Sequence, residues 1–196
     1  LDPRVKKVLW MYYEGNDLKN FTNEKSNRLL NNYLISSDFS QNLKLKQNEI
    51  DYLAKGILKR ERKKQITSLK FDYIKFIKIS NIRSFIFPVP AVEPTSITEF
   101  KKILQLANDF TIKNNSKLYF VYLPEYTRYK ETYNNSNYNL IKNVVEELNI
   151  SFIDIHKDVF QKENNPLRLF PFELFGHYNV EGYKKVAKAI YQLTKN

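Results

Sequence analysis

VKKVLWMYYEGND, Val5 to Asp17, is the stretch whose reading decides the fold. Val5 to Tyr13 is apolar, β-branched and aromatic apart from a lysine pair, and Glu14-Gly15-Asn16-Asp17 follows without a spacer. Such a run, closed by turn residues, reads as a buried strand ending in a tight loop. Two later segments read the same way. KLYFVYL, Lys117 to Leu123, is stopped by Pro124, and SFIDI, Ser151 to Ile155, is a third, shorter strand.

Helical spacing fills the intervals. Leu18 to Ile35 reads as a helix or helix-rich excursion. Gln47 to Gln65 carries one stripe of Ile50, Leu53, Ala54, Ile57 and Leu58. Phe71 to Phe87 fits a helix better than a strand. Pro88, Pro90 and Pro94 then break the chain, and Thr95 or Ser96 is placed to cap a helix running to about Asn114. Asn134 to Leu148 and Val180 to Leu193 are further helices, the last turning Tyr183, Val186, Ala187 and Ile190 inward. From Ser96 the order is helix, strand, helix, strand, helix, which calls for a parallel sheet with helices on both faces. The expected class is α/β, one domain over residues 1–196, with residues 18–87 as a helical insertion or a small subdomain.

At 196 residues and 42% hydrophobic, the chain is long enough to bury the core of one sizeable domain. Charged residues make up 27%, mean hydropathy is −0.53, and no apolar run approaches a membrane span. The net charge of +11 raises the question of nucleic acid. Its lysines are spread along the chain, and the one dense run, KRERKK at Lys59–Lys64, holds a glutamate and reads as a solvated helical face. No nucleic-acid partner is expected. The chain has no cysteine, no HExxH spacing and no glycine-rich phosphate cradle, so neither metal nor cofactor is called for.

Sites in open α/β sheets gather beyond the carboxyl ends of the strands, and two segments fall there. Glu14–Asp17 follows the first strand directly. Gly15 permits a sharp turn, and the Asn16 carboxamide is either a plain turn residue or a donor to developing negative charge. FGHYNVEGYKK, Phe175 to Lys185, holds two of the four glycines and one of the two histidines. His177 is either packed at a helix entry or a general base. Asn179 is placed to cap the last helix, and Gly182 to clear a neighbour in its first turn. His156 reads as a surface or helix-start residue. YLPEYTRYKETY, Tyr122 to Tyr133, mixes aromatics with charge after a strand, so Tyr126 and Arg128 are candidates to border a substrate cleft.

Taken together, VLWMYYEGND and FGHYNVEGYKKVAKAI resemble two blocks of the SGNH (GDSL-type) hydrolase superfamily: the GxND block and the final histidine block. LYFVYLP and SFIDI lie between them, where that family has its later core strands. The resemblance touches both ends and the last strands, about half of the chain. It implies a flavodoxin-like three-layer sandwich, His177 as the base that activates a serine, and Asn16, on Gly15, as an oxyanion donor. Two departures stand out. The family's Gly-Asp-Ser block lies upstream of GxND, and LDPRVKKVLWMYYE contains no serine. The chain is therefore read as a fragment that lacks its nucleophile and is inactive by itself. The family's aspartate three residues before the histidine is Leu174 here, which leaves Glu173 as the nearest carboxylate to orient His177. The implied partner is a small-molecule or glycan acyl ester, and the implied activity ester hydrolysis. O-acyl transfer or deacetylation on surface polysaccharide is the alternative within the fold, and a non-catalytic binding domain the alternative outside enzymes. The resemblance alone points to an extracytoplasmic location.

Overall fold

The computed structural model describes residues 2–36, 38–68, 94–130, 133, 136–174 and 176–195. The helix expected over Phe71–Phe87 lies outside them. Three strands form one parallel sheet in the order β1 (Lys7–Tyr13), β2 (Lys117–Leu123) and β3 (Ser151–Asp154). Seven α-helices are present among the described residues: α1 (Asp17–Glu24), α2 (Arg28–Ile35), α3 (Gln47–Ser68), α4 (Pro94–Lys113), α5 (Ser136–Glu147), α6 (Ile155–Asp158) and α7 (Val180–Leu193). Contacts divide the chain into two units, residues 1–34 with 91–196, and residues 35–90.

The first unit holds the sheet, and β2 is its axis. Register pairs Lys7 with Lys117 through Tyr13 with Leu123, and Tyr119 with Ser151 through Tyr122 with Asp154. Successive side chains of a strand point to opposite faces. Leu118, Phe120 and Tyr122 therefore enter one core, with Phe100 and Leu104 of α4 and Ile141 and Val145 of α5. Tyr119 and Val121 enter a second core, with Ile153, Phe160, Phe170 and Val186 and Ile190 of α7. Burying each such side chain contributes about 1.5–3 kcal/mol. A parallel sheet with helices on both faces is an α/β arrangement compatible with three layers.

Local signals explain the boundaries. Asn179 caps α7 by accepting from the Gly182 N–H at 2.9 Å. Asp154 caps α6 by accepting from the Lys157 N–H at 3.2 Å. Helix α4 starts at Pro94, so Ser96 is no cap: it is buried in the first turn and accepts from Lys25 Nζ at 3.1 Å. Of the residues expected to face inward on α7, Val186 and Ile190 are buried, whereas Tyr183 and Ala187 are exposed, the Tyr183 ring lying 5.5 Å from that of Tyr178. Helix α1 belongs to the sheet-bearing unit, with Leu18 and Phe21 packed into the first core, although residues from Leu18 onward read as an insertion.

The two faces of β1 differ. Val8, Trp10 and Tyr12 join the first core, but Leu9 and Met11 are 40% and 46% exposed. Their register partners on β2, Tyr119 and Val121, are 7% and 0% exposed. The cover on the second face thus stops between β2 and β1, and among the described residues β1 pairs on one side only.

Candidate active site

The carboxyl ends of β1 and β2 meet the loop that precedes α7. The ladder runs one step past β1, with the Glu14 N–H donating to the Leu123 carbonyl at 3.0 Å. The chain then turns through Gly15 and enters α1 with Asn16 as its first, non-helical residue. A Cβ on Gly15 would stand 2.6 Å from the Tyr13 ring and 3.1 Å from a Glu125 carboxylate oxygen, so any side chain here would push the Tyr13 ring aside. Asp17 fastens it from the other side, its carboxylate accepting from the Tyr13 N–H at 2.8 Å.

Tyr13 joins the turn to the histidine loop. Its hydroxyl donates to the Gly176 carbonyl at 3.3 Å, and its ring lies 4.4 Å from the His177 ring, centre to centre. Gly176 has a φ of +93°, a conformation side chains oppose. On the far side of His177, the Tyr178 hydroxyl is buried and donates to the Pro124 carbonyl at 2.7 Å. The Asn179 amide then donates to the carbonyls of Arg168 and Phe170, at 2.7 and 3.3 Å. Gly182 is obligatory for space: a Cβ there would come within 2.6 Å of the Leu169 carbonyl oxygen. The loop is clamped on both sides of a histidine whose own side chain faces solvent.

Asn16 and His177 are thus brought to the same end of the sheet, both exposed. Neither side chain has a hydrogen-bond partner among the described residues. Glu173 is placed otherwise. Its carboxylate accepts from the Asn165 amide at 3.4 Å, and its backbone carbonyl from the Tyr126 hydroxyl at 3.1 Å. The carboxylate that feels the His177 charge is Asp17. Burial raises the Asp17 pKa above the ordinary aspartate value, while the Tyr13 N–H and the His177 charge pull it back. Among the described serines, Ser116 and Ser151 stand at the opposite, amino ends of β2 and β3, and Ser96 is buried in α4. Among the described residues no group of three or more His, Asp or Glu is placed to hold a metal ion.

Compared with known proteins, the chain matches no family model, no curated protein and no solved structure.

Arg128, read from sequence as a cleft residue, is instead part of a buried polar knot. Its side chain and that of Glu14 are each 5% exposed and 2.5 Å apart. Arg128 Nε donates to the second Glu14 oxygen at 2.9 Å, and the guanidinium lies 4.6 and 4.8 Å from the ring centres of Tyr133 and Tyr138. Glu14 also accepts from the Tyr122 hydroxyl at 2.7 Å, the Glu125 N–H at 3.0 Å and the Tyr133 hydroxyl. Tyr138 donates in turn to Asp154, at the end of β3. The knot ties all three strand ends together. Burial and the Glu14 charge push the Tyr122 hydroxyl far above the ordinary tyrosine value, so it stays a donor. Tyr126 lies at the rim, its ring against Phe170 at 5.6 Å and beneath Lys130 Nζ at 4.6 Å. His156 is the second residue of α6, with Nδ1 3.1 Å from the Tyr129 hydroxyl, and burial first, then Arg128, lowers its pKa.

Glu14 is the residue the sequence reading missed. It stands among turn residues, and only the tyrosines and Arg128 downstream, from Tyr122 to Tyr133, hint that a carboxylate there has something to meet.

Proposed function

We propose that this chain is the C-terminal part of an SGNH-like serine esterase, cleaving acyl esters through an acyl-serine intermediate. One observation carries the reading: Asn16 and His177 stand exposed at one strand end, joined through Tyr13, on a turn and a loop that are otherwise rigidly held. In this reading the Asn16 amide donates to the oxyanion, and His177 Nε2 or Nδ1 takes the proton of the attacking serine and returns it to the leaving alcohol. Asp17 supplies negative charge near the imidazolium that forms. The serine comes from an element outside this chain. What supports this is that among the described residues β1 pairs on one side only, and a parallel strand added on the other would end beside Asn16. The fold is then flavodoxin-like, with the exposed Leu9 and Met11 covered by the added element.

The test is labelling by a fluorophosphonate and turnover of 4-nitrophenyl acetate. The chain alone should show neither. A longer protein that supplies a Gly-Asp-Ser block should show both, and His177→Ala should remove both. Turnover by the chain alone that survives His177→Ala would sink the proposal. A serine-bearing protein that never labels would instead favour a non-catalytic binding domain. Acetyl transfer to a polysaccharide in preference to water would redefine the activity as O-acyl transfer.

A further inference from the structure

We propose that Tyr13 is the positioning residue of His177, holding the imidazole by ring packing in place of the hydrogen bond that a carboxylate would make. The inference rests on the reading of His177 as a base and adds what orients it. A base must present one nitrogen to the proton it takes, so its ring has to be held at a fixed tilt. The carboxylates nearest the loop are committed elsewhere. Glu173 meets the Asn165 amide, and Asp17 accepts from the Tyr13 N–H. Neither ring nitrogen of His177 has a hydrogen-bond partner among the described residues.

What the imidazole does have is the Tyr13 ring. The two lie 4.4 Å apart, centre to centre, with their planes at 43°. That is the close end of the range in which aromatic rings pack. Tyr13 reaches the same loop a second time through its hydroxyl, which donates to the Gly176 carbonyl at 3.3 Å. Gly176 directly precedes His177, and its φ of +93° sets the direction in which the chain enters the histidine. A Cβ at 176 would meet nothing within 4 Å, so glycine stands there for its backbone and not for space. Burial first, then the charges of Glu125 and Glu14, raises the Tyr13 pKa above the ordinary tyrosine value, so the hydroxyl stays a donor at neutral pH. Tyr13 is itself fixed, as the last residue of β1, in register with Leu123. One side chain thus holds both the backbone before the histidine and the histidine ring. Packing of this kind restricts the tilt of the imidazole and leaves both nitrogens open to the reacting atoms.

The experiment uses the two histidines of the chain, His156 and His177. Their ring C–H signals are read by proton–carbon NMR on the full chain and assigned with His177→Gln. In the wild type the His177 signals should show cross-relaxation with the Tyr13 ring. Tyr13→Phe should keep it and leave the His177 signals near their wild-type positions, whereas Tyr13→Leu should remove it and displace them. His156, which meets the Tyr129 hydroxyl, should keep its signals in both variants and so reports an intact fold. In a longer protein that supplies the serine, Tyr13→Leu should lower kcat for 4-nitrophenyl acetate about tenfold, with KM changed less than about twofold. Tyr13→Phe should recover most of that loss. Absence of cross-relaxation between the two rings in the wild type would overturn the proposal whatever the variants do. So would His177 signals indifferent to Tyr13→Leu, an unchanged kcat in that variant, or a Tyr13→Phe as impaired as Tyr13→Leu. A longer protein inactive in every variant, with His177 still displaced by Tyr13→Leu alone, would sink the esterase reading and leave the positioning supported.

Discussion

Glu14 and Asn16 are two residues apart on one turn, yet they mark two opposite regions of the same strand end. On the Glu14 side, the carboxylate is saturated: a buried ion pair, two tyrosine hydroxyls and a backbone N–H converge on its two oxygens. On the Asn16 side, the side chains of Asn16 and His177 are exposed and have no hydrogen-bond partner among the described residues. The difference is physical. Saturated donors and acceptors hold a backbone in place, while unsatisfied ones at a rigid rim are available to a ligand. The first region is scaffold and the second is open to a ligand, and the tight turn at Gly15 is what lets them share four residues.

The contrast can be broken most sharply at the ion pair. Arg128→Ala or Glu14→Ala leaves a buried charge without its partner and should cost about 3–5 kcal/mol of stability in urea unfolding. The double variant Glu14→Gln with Arg128→Met should lie closer to wild type than either single change. A loss below about 1 kcal/mol for Arg128→Ala would mean that the knot is not the scaffold. Next comes the clamp on the histidine loop. Gly182→Ala forces a methyl against the Leu169 carbonyl and should cost about 1–3 kcal/mol. Asn179→Ala removes a helix cap together with two loop contacts and should cost about 1–2 kcal/mol.

A smaller effect tests the acidic rim. Burial raises the Glu125 pKa first, and the Glu14 charge adds to it, against the opposing Thr127 hydrogen bond and Arg128 charge. A carboxyl with a raised folded pKa is destabilising when ionised in both states, and that penalty is relieved as pH falls through the folded value toward the unfolded one. Glu125→Gln should therefore compare best with wild type at neutral pH and lose that standing as the pH is lowered through the acid range. A difference constant with pH would mean that Glu125 is not held against its charge. At the other end of the scale, His177→Ala and Asn16→Ala should change stability by no more than about 0.5 kcal/mol. A larger loss from either would move that residue from the chemistry to the scaffold.

Much of this was legible locally. The strand at Lys117–Leu123 and the helix at Val180–Leu193 have the bounds their periodicity calls for, and Asn179 and Gly182 play the capping and clearance parts read from their spacing. Asn16 and His177 could be named because glycine and turn residues flag strand ends. Arg128 could not be placed correctly, since an arginine among tyrosines looks the same whether it faces a cleft or a buried carboxylate. Glu173 was the nearest carboxylate before His177 along the chain, but its backbone is turned to φ +56° and its side chain meets Asn165 instead.

The sequence by itself determined the α/β alternation, the parallel sheet and the two segments at its carboxyl end, because these depend on spacings of two to four residues that the backbone converts directly into faces and caps. Only the tertiary structure decided that Glu14 pairs with Arg128, 114 residues away, and that Met11 stays exposed while Val121 beside it is sealed. Both are set by sheet register and by where a covering helix ends. No local pattern carries that information, because two residues with the same neighbours in sequence can have entirely different neighbours across a strand.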